Sequence, residues 1–305
     1  MDLLSLVLTL RPTAAGTPPP RLGRAAHAIL LQRIAAQDPA LAEALHANDG
    51  PKPFTCSDVL GGRQQQAVSR EHAYILRYTA LTAPVAAALA NAFAVGDMLT
   101  FEGVDFEVVA LNSPFAIRHS PSEDPWMGAD DYQSLAARYL LPSGPPPCGV
   151  WTFVLAAPLA FQSQGKTQPL PLPELFFGSL VLRWNAFAPV ALPEDGVRRY
   201  AEELVAVSRF ELRSAPGWNR GPGLRIGAIG RITYRALNRD RYWLAVLSLL
   251  AEFARYSGVG AMTTAGMGQV RRMANGERRM ANGERRMANG ERRMADGEWR
   301  MADGG

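Results

Sequence analysis

Residues 256–272 read YSGVGAMTTAGMGQVRR, and they follow the clearest helical pattern in the chain, Asp240 to Tyr256. In that helix Tyr242, Val246, Leu249, Leu250 and Phe253 fall on one face. The loop carries Gly258, Gly260, Gly266 and Gly268 and runs into a short strand expected at Gln269 to Arg272. A dinucleotide-binding fingerprint needs a strand before its glycines and a helix after them, and here the order is reversed. A phosphate-binding P-loop is excluded as well, because no Gly-Lys-Ser/Thr follows. Paired glycines permit positive φ and let backbone N–H groups approach an anion closely. Thr263 and Thr264 add hydroxyls, and Arg271 and Arg272 add charge. The segment is either an anion-binding loop or a tight connection from a helix to a closing strand. The residues alone leave both open.

Working outward, the same element order occurs twice. Leu3 to Leu10 predicts a strand. A Pro/Gly/Thr loop leads to a helix over Ala25 to Ala36, with His27, Leu30, Leu31 and Ile34 on its apolar stripe. Asp38-Pro39 is an N-cap with proline at the first helical position, so a second short helix runs to about His46. Strands are expected at Phe54 to Val59 and Ala73 to Leu81, a helix at Pro84 to Ala94, and a strand pair around Glu102-Gly103. Residues 114–149 are rich in Pro, Ser and Gly, with one helical stretch from Asp130 to Leu140. The second half gives a strand at Trp151 to Phe161, helices at Glu174 to Phe187 and Gly196 to Val207, and strands at Phe210 to Arg213 and Leu224 to Leu237. The expected fold class is α+β: two tandem ferredoxin-like, RRM-like βαββαβ domains at 1–113 and 151–272, with a connector at 114–150. That fold hosts many functions, so function must be read from sites.

From Arg271 the chain repeats RRMANGE every seven residues, decaying to RRMADGE and WRMADGG. Each heptad has one Met, one Ala and a Gly, which makes no coiled-coil seam. Residues 273–305 are therefore expected to be a disordered repeat tail. The chain has 305 residues and a net charge of +4, of which the last 35 residues contribute +3. The body is thus nearly neutral, and any polyanion must be held by local patches. Cys56 and Cys148 are far apart and form no CxxC pair, so neither a zinc site nor a disulfide framework is expected. No stretch approaches the roughly 20 apolar residues of a membrane span. A cytoplasmic location is expected.

GVGAMTTAGMGQVR, residues 258–271, resembles the C-terminal glycine-rich motif of the CRISPR-associated RAMP proteins. Three other stretches resemble their precursor-crRNA endoribonuclease family, the sixth Cas family. They are AAHAILLQRIAAQDPALAEALHANDGPKPFTCSDVLG (25–61), PLPLPELFFGSLVLRWNAFAP (169–189) and GRITYRALNRDRYWLAVLSLLAEFARYSGVG (230–260). The resemblance covers residues 25 to 272 and leaves the heptad tail without a counterpart. It implies cutting of CRISPR repeat RNA in a precursor transcript, with no metal and no cofactor. Attack of the ribose 2′-OH on the adjacent phosphate would leave a 2′,3′-cyclic phosphate and a 5′-OH. It also implies other Cas proteins of an interference complex as partners. A non-catalytic RAMP subunit that holds the repeat without cutting it is the alternative.

The implied reaction needs a base, an acid and a cation. Histidine serves both proton roles, since its ordinary pKa of about 6.5 lies near working pH. His46, at the end of a short helix before the Asn48-Asp49-Gly50 turn, sits where the family places a catalytic histidine. His27 lies 19 residues earlier, where some members carry a functional histidine; its place on the apolar stripe allows a core role equally. Other members use a tyrosine one turn later, where this chain has Leu31, which cannot transfer a proton. Lys52 is one of only two lysines among 32 basic residues and suits a compact charge on the phosphate. Gly258, Gly260, Thr263, Thr264, Gly266, Gly268, Arg271 and Arg272 are the expected RNA contacts. His72 and His119 match no family position and receive no role.

Overall fold

The computed structural model describes residues 1–16, 21–61, 68–112, 124–141, 147–163, 165–217, 225–274 and 277. His119 and the heptads after Glu277 lie outside the described residues.

The first half is built on β1 (Leu3–Pro12), α1 (Gly23–Gln37), α2 (Pro39–Ala47), β2 (Phe54–Cys56), β3 (Tyr74–Ala80), α3 (Ala83–Ala90), β4 (Met98–Phe101) and β5 (Val104–Asn112). The strands form one antiparallel sheet in the order β2-β3-β1-β5-β4. Glu102 and Gly103, with φ of 48° and 84°, make the tight turn between β4 and β5. Asp38 caps α2 as its sequence suggests, accepting from the Leu41 N–H at 2.9 Å.

β1 is buried along nearly its whole length, which explains its continuous LLSLVLTL run. Leu4, Leu6, Leu8 and Leu10 enter the first core with Leu30, Ile34, Tyr78 and Phe106. The opposite face of β1 meets the second half of the molecule, and Leu3 belongs to that second core.

The stretch expected to be a connector is partly structural. β6 (Gly128–Asp130) pairs with the start of β1, while α4 (Tyr132–Leu140) sends Tyr132 and Leu135 into the second core. Asp131 caps α4 through the Ser134 N–H at 2.7 Å.

The second half runs β7 (Val150–Leu159), a small hairpin of β8 (Phe161–Ser163) and β9 (Lys166–Gln168), α5 (Pro173–Phe187), α6 (Glu194–Leu204), β10 (Val205–Gly217), β11 (Arg225–Ala236), α7 (Arg241–Ser257) and β12 (Val270–Arg272). Its main sheet has the order β10-β11-β7-β12, so both main sheets place the second, third, first and final strands of their half side by side. α6 ends at Leu204, earlier than its sequence pattern suggests, because Val205 already pairs with Ala236. On α7, Val246, Leu249, Leu250 and Phe253 are fully buried, but Tyr242 is 52% exposed. It lies at the helix start, beyond the reach of the core.

Arg77 pins the two halves together. Its guanidinium lies on the non-core face of β3 and is almost fully buried. It donates to Ser5 Oγ at 2.9 Å, to Gln269 Oε1 at 2.6 Å and to the Arg255 carbonyl at the end of α7, and it lies over the Trp126 ring. Burial pulls its pKa down to about 9, and among the described residues no carboxylate pairs with it.

Candidate active site

The glycine loop leaves α7, crosses the edge of β7, touches the first half and returns as β12. Gly258, Gly260, Gly266 and Gly268 all have positive φ, between 61° and 93°. A Cβ at Gly260 would lie 2.5 Å from the Ala160 carbonyl oxygen, and one at Gly268 would lie 2.1 Å from that of Val259. These glycines are therefore needed to fold the loop on itself and on the β7 edge. Their N–H groups are also committed. Gly258 donates to Ala254, Gly260 to Ser179 Oγ, Gly266 to Cys56 and Gly268 to Pro158. The expectation that the glycines offer free donors to an anion does not match this pattern.

The donors left over sit in the turn between them. Among the described residues, the N–H groups of Met262, Thr263 and Thr264 have no protein acceptor. Met262 has φ of 57°, so the three successive N–H groups begin at a left-handed residue, and turns of that kind can form concavities that suit an anion. Beneath the turn lies Arg183 of α5, which donates to Thr263 Oγ1 at 2.6 Å. Burial lowers its pKa to about 10, and no carboxylate among the described residues pairs with it. The turn thus rests on an uncompensated positive charge.

The same turn docks on the first half. The Cys56 N–H donates to the Thr263 carbonyl at 3.0 Å, and the Gly266 N–H donates to the Cys56 carbonyl at 3.2 Å. Gln269 Nε2 donates to the same Cys56 carbonyl, and its Oε1 takes the Arg77 hydrogen bond, so the domain pin and the loop share one network. Gly23, at the start of α1, lies against Ala265 and Gly266 with no space for a side chain. The Leu22 N–H before α1 donates to Asp58 Oδ1 at 2.6 Å, which anchors the start of that helix.

One turn into α1, His27 meets the loop: its Nδ1 lies 3.0 Å from the Thr264 carbonyl oxygen. A carbonyl only accepts, so Nδ1 carries the proton and the neutral ring keeps its lone pair on Nε2. The ring is partly buried against Phe54, with centroids 5.3 Å apart. Burial pulls its pKa down, the Thr264 hydrogen bond opposes that, and the nearby Lys52 and His46 lower it further. His27 is therefore close enough to Lys52 and His46 to sense their charge, and it holds its neutral form near pH 7.

His46 is exposed on the last turn of α2. The Lys52 ammonium donates to the carbonyls of Leu45 at 2.7 Å, His46 at 3.3 Å and Asn48. All three of its donors are engaged in capping the helix that carries His46. The sequence suggested Lys52 as a compact charge for the phosphate; in the free protein it clamps the α2 terminus. Arg271 and Arg272, on β12, pair with Glu277 and Glu252. His72 is exposed. Both cysteines are free thiols, Cys56 buried and Cys148 half-buried.

Arg77, Arg183, Gln269 and Asp58 were not singled out from sequence. The two arginines did leave a signal. Each is a lone charge inside an apolar run, YILRYTA and FFGSLVLRWNAF, where a cation is costly unless it has a task.

Comparison with known proteins bears on this site. Residues 3–87 match the model of the CRISPR Cas6 N-terminal domain, and residues 154–270 match that of the CRISPR-associated endoribonuclease Cas6. A Cas6 product complex of the Thermus thermophilus protein superposes with a TM-score of 0.69 at 26% identity, covering 89% of this chain and 99% of that one. A second Cas6 product complex gives 0.68 at 30% identity, with 90% and 100% covered. That second protein has also been solved with a substrate mimic and as a histidine-to-alanine variant. The curated Cas6 endoribonuclease of Mycobacterium tuberculosis is 31% identical over 117 residues, which spans 37% of this chain and only 36% of its own length.

Proposed function

Because this chain belongs to the Cas6 family of CRISPR-associated endoribonucleases, we propose that it cuts CRISPR repeat RNA in the precursor transcript to give mature crRNA. The observation that carries this reading is the His27 to Thr264 contact. It joins a helix of the first half to the glycine loop of the second, within electrostatic reach of His46 and Lys52. Two histidines at one seam, beside a turn with three unpaired N–H groups, suit a phosphodiester and its two proton transfers.

In this mechanism the ribose 2′-OH attacks the adjacent phosphorus and the bond to the 5′-oxygen breaks. Neutral His27 offers Nε2, and exposed His46 offers a ring free to follow the substrate. One takes the 2′-OH proton and the other gives a proton to the leaving 5′-oxygen. Lys52 holds the end of α2, and so His46, in place; its charge reaches the phosphate only if the ammonium gives up a carbonyl. The Met262–Thr264 turn over Arg183 receives a phosphate oxygen. The products are a 2′,3′-cyclic phosphate and a 5′-OH. The runs β2-β3-β1-β5 and β10-β11-β7-β12, equivalent in the two main sheets, support two ferredoxin-like domains, 1–113 and 151–272, around the connector 114–150.

Single-turnover cleavage of cognate repeat RNA tests the reading. Activity persists in chelator, disappears when the nucleotide at the cut site is 2′-deoxy, and falls at least ~100-fold in His46→Ala while RNA affinity is kept. Cutting of the deoxy RNA would refute the mechanism. A wild type that binds repeat RNA without cutting it would instead mark a non-catalytic RAMP subunit.

A further inference from the structure

The geometry points to a second RNA phosphate site, at Arg271, which the carboxylate of Glu277 occupies in the free chain. This inference rests on the RNA reading above and adds to it both a subsite and an internal competitor for that subsite.

Arg271 lies on β12, three residues past Gly268, with its side chain only 11% exposed. Glu277 grips it as a phosphate would: Oε2 accepts from one terminal nitrogen and Oε1 from the other, both at 2.9 Å. Oε2 also takes the Ala274 N–H at 2.9 Å. Two oxygens on one guanidinium with a backbone N–H beside them are also the usual way of holding a phosphodiester. The Arg271 Nε is buried and has no partner among the described residues. The Arg271 guanidinium carbon lies over the Trp126 ring, 5.3 Å from its centre, and that of Arg77 lies over the same ring at 5.2 Å. Among the described residues Glu277 is the carboxylate that pairs with this arginine, at 29% exposure.

The surroundings are built for more than one carboxylate. Arg271 opens on a cavity of about 780 Å3 between α4, α7 and β12. Arg138, Arg255 and Arg272 line it, each paired with an acid of the folded body, Asp130 or Glu252. Glu277 differs from these acids because it comes from beyond the last strand, in the first copy of the RRMANGE repeat. When it lifts away, the wall keeps its other acids and Arg271 is left without a counter-charge. A mostly buried, unpaired guanidinium draws an anion strongly. An RNA backbone already held at the Met262–Thr264 turn, seven residues before Arg271, supplies one at high effective concentration.

The test uses the full chain and a repeat RNA that is 2′-deoxy at the cut site, with binding followed by fluorescence anisotropy. Glu277→Gln keeps the shape but removes the charge, so the competitor weakens and RNA binds about three- to tenfold tighter. The single-turnover rate on cleavable RNA at saturating protein stays at the wild-type value. In an Arg271→Met background the gain disappears; should that variant fail to fold, Arg271→Lys keeps the charge, loses the fork and shows a reduced gain. Unchanged or weaker RNA binding by Glu277→Gln overturns the inference, as does a gain that survives undiminished without the Arg271 fork. Tighter binding of inorganic phosphate with RNA affinity unchanged also overturns it. If the wild type binds no repeat RNA, the functional reading falls and takes this inference with it; if it binds and only the Glu277 effect is missing, the functional reading stands.

Discussion

Replacing Gly23 with alanine sets a gain in helix propensity against a clash at the candidate site. Gly23 is the first residue of α1 and has an ordinary helical backbone, so propensity alone predicts a gain of up to ~1 kcal/mol. The new methyl would lie 2.5 Å from the Ala265 carbonyl oxygen and 2.6 Å from the Gly266 Cα. Both are backbone atoms, and no rotamer relieves the contact. Ordinary contact at ~3.5 Å requires the loop and helix to part by about 1 Å. The His27 to Thr264 bond is already 3.0 Å long, and a retreat of that size along it takes it past hydrogen-bonding range. Overpacking costs ~1–3 kcal/mol, which roughly cancels the helix gain, so the melting temperature moves by only a few degrees. Activity responds differently, because a misplacement of ~1 Å costs about 100-fold in rate. Single-turnover cleavage, thermal melting and the NMR signal of the His27 Nδ1 proton measure the three effects. A Gly23→Ala protein that melts like the wild type and also cuts at the wild-type rate would show that the α1–loop contact does not organise the site.

Two further outcomes follow from the same geometry. Burial lowers the His27 pKa, so the unfolded chain binds the extra proton more readily than the native one. Stability from this group is therefore complete above pH ~6.5 and drains as pH falls through 6.5 towards the native pKa. Melting at pH 7.5 and 5.5 should show a loss at the lower pH that is smaller in His27→Gln, and an equal loss in both proteins would refute the assignment. The heptads beyond Glu277 carry no coiled-coil seam in their sequence, so a chain ending at Glu277 should fold and cut its repeat like the full chain. Loss of specific cleavage on that truncation would mean that the repeats belong to the working structure.

The parts of this molecule legible in its sequence are those with a local cause. Periodicity marks α1 and α7, proline after aspartate marks the start of α2, and Glu102-Gly103 marks its hairpin. The glycine loop was visible as a loop because four glycines in eleven residues admit no regular element. Its task was harder to read, because glycine serves close approach of any kind. Here the close neighbours are Ala160, Val259, Gly23 and Asp58 of the same chain, and the free donors belong to Met262, Thr263 and Thr264, which carry no glycine signal at all. Lys52 was singled out for its charge, yet its three acceptors are carbonyls fixed only by the way α2 ends. Pairings across the seam have no local signature: His27 meets Thr264 across 237 residues, and Arg77 meets Gln269 across 192. The seam still leaves a trace. A charge placed alone in an apolar strand or helix must be solvated by something distant, and Arg77 and Arg183 are both such charges. Arg77 is solvated by carbonyl, amide and hydroxyl oxygens of both halves, and so holds the halves together. Among the described residues Arg183 has a hydroxyl and a carbonyl of the loop as its acceptors and no carboxylate beside it. The two isolated arginines thus divide the work at the seam: Arg77 secures the loop in place, and Arg183 sets a buried positive charge beneath its turn.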